Sequence, residues 1–220
     1  MFNDTSSRRR PQPQPRARRD RVRVTALTLS FATAGVLAGT VPAAQAAEKP
    51  GHGRAYQCRS EGLDPGARIR YRTDIMIKAP LSTVFKLQTD VERWPAWQPP
   101  VLTAKRLDHG RLRKGSRFHW TTPAPPTVPD TTMHITSTVR QLRNNACILW
   151  AGPAVGKGAR IDEGVHLWTF TKVRGGVLVH TEETWTGRQV EEDVPGSTAM
   201  LGQGLEEWLR NLKATAEARH

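Results

Sequence analysis

An α+β domain, a curved antiparallel sheet wrapped around one long C-terminal helix, is the fold class this sequence predicts. Three observations predict it. Segments that alternate apolar and polar residues recur between residues 71 and 186, bounded by Gly, Pro or Asn. The last stretch changes period: Leu201, Leu205, Trp208 and Leu212 stand at steps of four, three and four, the stripe of an amphipathic helix. Between the first alternating segment and the others, Ala79-Pro80 interrupts the strand period and opens a short helical region. A mainly antiparallel sheet needs its apolar face covered, and the C-terminal helix is the one element long enough to cover it.

The first strand puts Tyr71, Thr73, Ile75 and Ile77 on one face. After Pro80, a residue tolerated in a helix's first turn, residues 82–89 cluster Val84, Phe85 and Leu87 as a helix would. Asp90 is placed to cap a second short helix through Glu92, Arg93 and Trp94, which Pro95, Pro99 and Pro100 bring to an end. Residues 101–109 read as a strand and 110–114 as a turn. Residues 116–122 read as a strand with Phe118 and Trp120 together. The four prolines within 123–129 read as a loop.

Residues 132–142 form a long alternating strand with Met133, Ile135, Ser137 and Val139 on one face. Asn144-Asn145 is a turn pair, 147–151 an apolar strand, and the Gly-rich 152–158 a bulge or mobile loop. Residues 164–173 set His166, Trp168 and Phe170 on one face. Gly175-Gly176 signals a tight hairpin, and 177–186 returns with Val177, Val179, Thr181, Glu183 and Trp185 aligned. In the final helix Leu209 and Ala216 widen the apolar stripe. Glu206, Glu207, Arg210, Asn211 and Lys213 take the other side, and Ser197 or Thr198 is the expected cap.

The chain's first 46 residues are of another kind. Eight arginines and three prolines precede residue 24, residues 24–41 are uncharged and mostly apolar, and Ala44-Gln45-Ala46 follows. A basic region, an apolar region and an A-x-A site make a secretory signal peptide, expected to be cut before Ala47. The apolar stretch is short for a membrane span and carries five Ser or Thr residues and two glycines, so no integral span is expected after cleavage. Arg18-Arg19 fits a twin-arginine exporter, but Asp20, Arg21 and Val22 lack the bulky apolar residue such signals carry. The general secretion route stands equally beside it. Residues 47–67 are polar and Gly-containing, a flexible lead-in, and the globular domain is expected over 68–220.

Removing the segment takes eight basic and two acidic residues from the chain's 33 and 20, so the net charge falls from +13 to +7. That remainder reads as spread along the chain, and nucleic acid is not an expected partner. Two cysteines remain. Export allows Cys58 and Cys147 to bridge, while Cys147 in its apolar run is equally at home as a small buried residue, and the sequence leaves the choice open. There is no Cys-x-x-Cys, no paired-histidine spacing, no nucleophile elbow and no phosphate loop, so neither a metal nor a cofactor is expected.

Two runs carry a resemblance. One is Ile75-x-Ile77-x-Ala79-Pro80, then Val84-Phe85, then Thr89-Asp90-x-Glu92-Arg93-Trp94-Pro95-x-Trp97. The other is His166-x-Trp168-Thr169-Phe170, Gly175-Gly176, then Glu182-Glu183-x-Trp185-x-Gly187. In joint order and spacing they resemble the SRPBCC superfamily of START-like and polyketide cyclase/dehydrase-like proteins, over about residues 70–215. The resemblance implies a helix-grip fold around a hydrophobic cavity. It supplies no reaction, because members share the cavity more than any catalytic set.

Seven tryptophans follow residue 90. Each is more often core than site, yet some of the aligned aromatics should face a cavity. The expected ligand-binding residues are Trp97, Phe118, Trp120, Trp168, Phe170, Glu183 and Trp185. Weak catalytic candidates are His166, an acid/base type near neutral pH, and Glu183, a carboxylate among apolar neighbours. His134 and His180 fall on the opposite face. The expected function is a secreted binding protein for a small hydrophobic ligand, lipid- or polyketide-like. A polyketide cyclase or dehydratase using the same cavity is the alternative, and an envelope interaction protein with a closed cavity is the third.

Overall fold

The computed structural model describes residues 58, 63–124, 128 and 130–219. The expected signal segment, most of the lead-in and the centre of the proline loop lie outside the described residues.

Seven strands form one open, curved antiparallel sheet in the order β1-β7-β6-β5-β4-β3-β2. They are β1 (Ile69–Ile77), β2 (Thr103–Arg106), β3 (Arg117–Pro123), β4 (Thr132–Arg143), β5 (Cys147–Gly156), β6 (Ala159–Val173) and β7 (Gly176–Thr186). The first strand pairs with the last, so the connection from β1 to β2 must cross the sheet. Helix α1 (Leu81–Thr89) and a 3₁₀ helix (Val91–Ala96) make that crossing. A single-turn helix α2 (Arg188–Glu191) leads into α3 (Val194–Glu217), which lies against the sheet. This is the helix-grip architecture.

The local reasons match the sequence where periodicity decides. In α3 the buried residues include Leu201, Leu205, Trp208, Leu209, Leu212 and Ala216, the expected stripe. Gly202 also sits on that face, because a Cβ there would run into the Tyr71 ring of β1, so β1 and α3 approach closely. Capping differs from expectation. Asp193 caps α3, its carboxylate accepting from the Gly196 N–H, with Pro195 in the first turn. Ser197, an expected cap, lies inside the helix and donates to the Val190 carbonyl. Asp90 makes no side-chain cap; its backbone N–H instead closes α1 on the Lys86 carbonyl.

Strand ends differ too. Of the expected strand 101–109 only four residues pair, because Asp108 turns back to accept from Arg106 and Ser116. Of the two readings of the Gly-rich 152–158, a bulge or a loop, the bulge is the one found: β5 runs through Gly156, with a register shift between Gly152 and Ala154. A Cβ on Gly152 would overlap the Thr136 carbonyl of β4, so glycine there lets the two backbones close.

The sheet is covered on both faces. The main core lies on the α3 side and joins Ile77, Val84, Phe85, Trp94, Phe118, Ile148, Trp168, Phe170, Leu209 and Leu212. On the outer face Cys58 and Leu63, from the expected lead-in, pack with Cys147, Leu149, Ala151, Val165 and Leu167. Cys58 and Cys147 form a disulfide, so this outer cluster is tied to β5 covalently. Packing replaces flexibility at these two lead-in positions because apolar side chains of β5 and β6 need cover on this face as well.

The far end of α3 is fixed by charge. Glu217 accepts from Lys213 Nζ and from the Lys78 N–H, and Lys213 also donates to the Met76 carbonyl. The Lys213 hydrogen bond, with the Lys78 N–H and charge behind it, holds the Glu217 carboxyl below its ordinary value of 4.5. A lowered folded value stabilises the protein above the unfolded pKa and is lost as pH falls through the folded one. Urea titrations from pH 6 to pH 2 are therefore expected to show the wild type's advantage over Glu217→Gln shrinking below about pH 4.5. A difference that is constant across that range would exclude the linkage.

Candidate functional site

The inner face of the sheet is set by strand alternation. Register places Tyr71, Glu183, His166 and Trp150 in one row across β1, β7, β6 and β5, with Thr73, Thr181, Trp168 and Ile148 in the next. Six of the seven expected binding residues lie on this face. The seventh, Trp97, ends the 3₁₀ helix and meets Trp208 of α3 at 6.4 Å between ring centroids.

At the centre, the two catalytic candidates meet. His166 Nδ1 lies 2.9 Å from Glu183 Oε2, and His166 Nε2 lies 2.8 Å from Thr181 Oγ1. The Thr181 hydroxyl donates to the Leu167 carbonyl, so its oxygen is left to accept from Nε2–H. Nδ1 then faces Glu183 Oε2 at hydrogen-bond distance on the other side of the ring. Trp185 Nε1, a donor only, gives 2.7 Å to Glu183 Oε1 and fixes the carboxylate plane. Gly164, opposite Trp185 in the β6–β7 register, leaves room for the Glu183 carboxylate, which a Cβ there would meet at 3.3 Å. Both side chains are well buried, at 6% and 16% exposure. The ring of His166 packs against Trp150 and Trp168, which also contact each other, at 5.0 and 4.9 Å between centroids, both tilted. Chemically this is an acid/base pair in an apolar box, able to give or take one proton or to hold a polar group.

Around it the aromatics pack rather than line a void. Trp94 meets Phe118, Trp120, Trp150 and Trp208 at 5.1–5.8 Å, mostly edge to face, the preferred geometry for quadrupolar rings. Phe118 and Trp168 are fully buried and Phe170 packs edge-on against Phe85. Three of the expected residues keep some exposure: Trp120, Glu183 and Trp185. Tyr71 and Ile161 are half-buried as well; Tyr71, Ile161 and Trp185 pack beside Leu201 and Leu205 in the N-terminal half of α3, and Trp120 packs beside Met133, Ile135 and Ala154. The interior therefore has two regions, a sealed aromatic core and a looser apolar end, with His166 and Glu183 between them.

Several interior polar groups were not singled out from the sequence. Tyr71 donates to Glu206 of α3, and that bond, with burial and the carboxylate's charge, raises the phenol's pKa. Gln88 accepts from Trp208 Nε1, and Gln98 accepts from Asn211 at 2.6 Å. Tyr71 and Thr181 were legible as inward positions by alternation, but nothing local named their partners. Trp168 Nε1 and Trp97 Nε1 are buried with no hydrogen-bond partner among the described residues. His134 is exposed and His180 partly so, both on the outer face as expected; His180 pairs with Asp74.

Among the described residues no group of three or more His, Cys, Asp or Glu side chains is arranged for a metal, and no helix is long and apolar enough to cross a membrane. Two surface hollows, one bounded by Arg160, Asp162, Arg188, Gln189 and Glu192 and one by residues of 130–134 and 155–157, contain none of the expected binding residues.

Comparison places this arrangement. A family model described as polyketide cyclase / dehydrase and lipid transport matches residues 68–217. No curated protein matches the chain. Among solved structures, the chain is similar to a START superfamily protein from Mycobacterium smegmatis, at 14% identity and TM-score 0.56, over 69% of this chain and 99% of that one. It is similar to the di-domain ARO/CYC StfQ from the steffimycin biosynthetic pathway, at 17% identity and TM-score 0.54, over 69% of this chain and 52% of that one. It is also similar to a hypothetical protein from Helicobacter pylori, at 17% identity and TM-score 0.54, over 72% of this chain and 94% of that one. At these identities the likeness is one of fold.

Proposed function

Because the chain belongs to the polyketide cyclase/dehydrase and lipid transport family, we propose that it is an exported binding protein that holds a small hydrophobic ligand, lipid- or polyketide-like, between its sheet and α3. One observation carries the reading: an inner sheet face that is half-buried at Tyr71, Trp120, Ile161 and Trp185, next to the polar pair of His166 and Glu183. Apolar walls with a few convergent polar groups are what small-ligand sites consist of. The flat rings supply contact area, and Glu183 with His166 supplies a donor and acceptor for a polar end group. The unpaired Trp168 Nε1, whose ring lies 4.9 Å from that of His166, is a further donor for a ligand oxygen. Export is supported by the order of basic, apolar and A-x-A segments and by the Cys58–Cys147 bridge, since disulfides persist in oxidising compartments.

Native mass spectrometry on protein recovered from its own producer, followed by extraction, tests this. The expected result is a stoichiometric apolar passenger. A protein that carries none and takes up no hydrophobic fluorescent probe defeats the reading.

The direct contact of His166 with Glu183 favours a second reading, a cyclase or dehydratase acting in the same interior. Turnover of a polyketide-like substrate that is unchanged in the His166→Ala, Glu183→Gln double variant removes it. The same variants report on structure. His166→Ala strands the Glu183 carboxylate and is expected to cost about 3 kcal/mol. Adding Glu183→Gln should then cost little more, a strongly non-additive cycle by urea denaturation. Additive losses would mean the two side chains do not act as a pair.

A further inference from the structure

The edge of the sheet opposite β1 holds a dense cluster of unpaired positive charge. Between residues 105 and 117 stand Lys105, Arg106, Arg111, Arg113, Lys114 and Arg117 against one acid, Asp108. The sequence reading spread the domain's charge along the chain; the β2–β3 hairpin gathers it. Asp108 is used internally, accepting from Arg106, the Ser116 hydroxyl and the Arg117 N–H, and Glu92 accepts from the Arg106 N–H. Arg106 is thereby a half-buried staple that sets the hairpin's shape. The other five cations are exposed, and among the described residues none has a carboxylate within ion-pair distance. Arg113 curls onto the carbonyls of His109 and Arg111, which orders it and leaves its charge uncompensated. Leu102 and Leu107, each 50% exposed, flank β2.

We propose that this hairpin is a docking surface for an anionic phospholipid bilayer. Five cations on one rigid hairpin complement anionic headgroups, each adding about fivefold to partitioning. The two exposed leucines suit insertion at the headgroup–acyl boundary. Nucleic acid is the less favoured anion: residues 102–117 contain no Phe, Tyr or Trp to stack on a base, and exposed leucine side chains have no use against a phosphate backbone. The inference concerns the sheet's outer edge and stands apart from the ligand reading. An empty interior and a membrane-binding hairpin are compatible results, and so is the converse.

The test is co-sedimentation of the protein, in the form its producing cell leaves it, with vesicles of phosphatidylcholine containing about one third phosphatidylglycerol, the anionic fraction on which such attraction depends. The Lys105→Glu, Arg111→Glu, Lys114→Glu variant is expected to lose at least about tenfold in binding. A variant of equal net charge, Lys86→Glu, Lys172→Glu, Arg174→Glu, changes three exposed cations elsewhere and is expected to stay within about threefold of wild type. Leu107→Ser should weaken vesicle binding by about fivefold while leaving binding to a 20-nucleotide DNA duplex unchanged. Equal losses in the two triple variants would reduce the effect to net charge and overturn the proposal. Preference for the duplex over vesicles at equal phosphate would overturn it in favour of nucleic acid.

Discussion

Replacing Cys58 and Cys147 together by alanine is expected to lower stability by about 4 kcal/mol, the amount that closing a loop of this length removes from the unfolded chain's entropy. The bridge joins residues 89 apart, linking the segment ahead of β1 to β5. Few contacts hold Cys58 in place otherwise: the described cover of the outer face is Leu63 and the bridge itself. Urea denaturation of the double variant under non-reducing conditions measures the effect. Reduction of the wild type by dithiothreitol should reproduce most of it. A loss below about 1 kcal/mol would mean that the outer cluster holds without its tether, as residual structure in the unfolded chain can bring about. The bridge also gives a physical reason for the outer face to be stable only where thiols are oxidised, in keeping with the export reading.

Trp94→Ala is expected to cost about 4 kcal/mol and to convert the sealed aromatic region into a binding cavity. Trp94 is fully buried, contacts four other aromatic rings, and donates from Nε1 to the Gln88 carbonyl. Its removal deletes a ring from the middle of a network whose members are spaced by that ring, so collapse is hindered from several sides. For a domain of this size the loss corresponds to a melting temperature lower by about 10 °C. Added indole should restore part of that loss by filling the void. The comparison with wild type carries the functional information. If wild type binds an apolar probe and Trp94→Ala binds it no more tightly, the ligand takes the looser end beside Trp120 and Trp185. If only the variant binds the probe, the native interior is closed and the interaction-protein reading gains.

Gly175 shows why the pairing of the two named site residues was not legible in the sequence. Read as a two-residue Gly175-Gly176 loop, the β6–β7 hairpin would set His166 opposite Trp185. The actual loop is Arg174-Gly175, with Gly175 at φ +86°, and β7 already begins at Gly176. That shift sets His166 opposite Glu183 and Trp168 opposite Thr181. Both versions keep the same side chains inward, so alternation alone cannot choose between them.

Other differences have similar causes. Cys147 satisfied its apolar strand equally well as a thiol or as half of a bridge, and only the path of the preceding segment brought Cys58 to it. Five exposed cations of residues 105–117 form a patch because Asp108, paired with Arg106, folds the segment into a tight hairpin at the sheet edge. Phe118, Trp120, Trp168 and Phe170 each pack on other aromatic rings. Inward direction is a property of the strand, whereas the space left inside depends on what α1, the 3₁₀ helix and α3 bring against it.

The sequence by itself determined the order of strands and helices, the inward face of each strand, the buried stripe of α3 and the family to which the chain is similar. These follow from backbone periods of about two and 3.6 residues, which act within a few residues of each other. Only the tertiary structure decided which inward residues touch. It joined His166 to Glu183 and Thr181, Trp94 to Trp208, Tyr71 to Glu206 and Cys58 to Cys147. Each of those contacts spans elements whose relative placement is fixed by register and packing over the whole domain, and no local pattern encodes it.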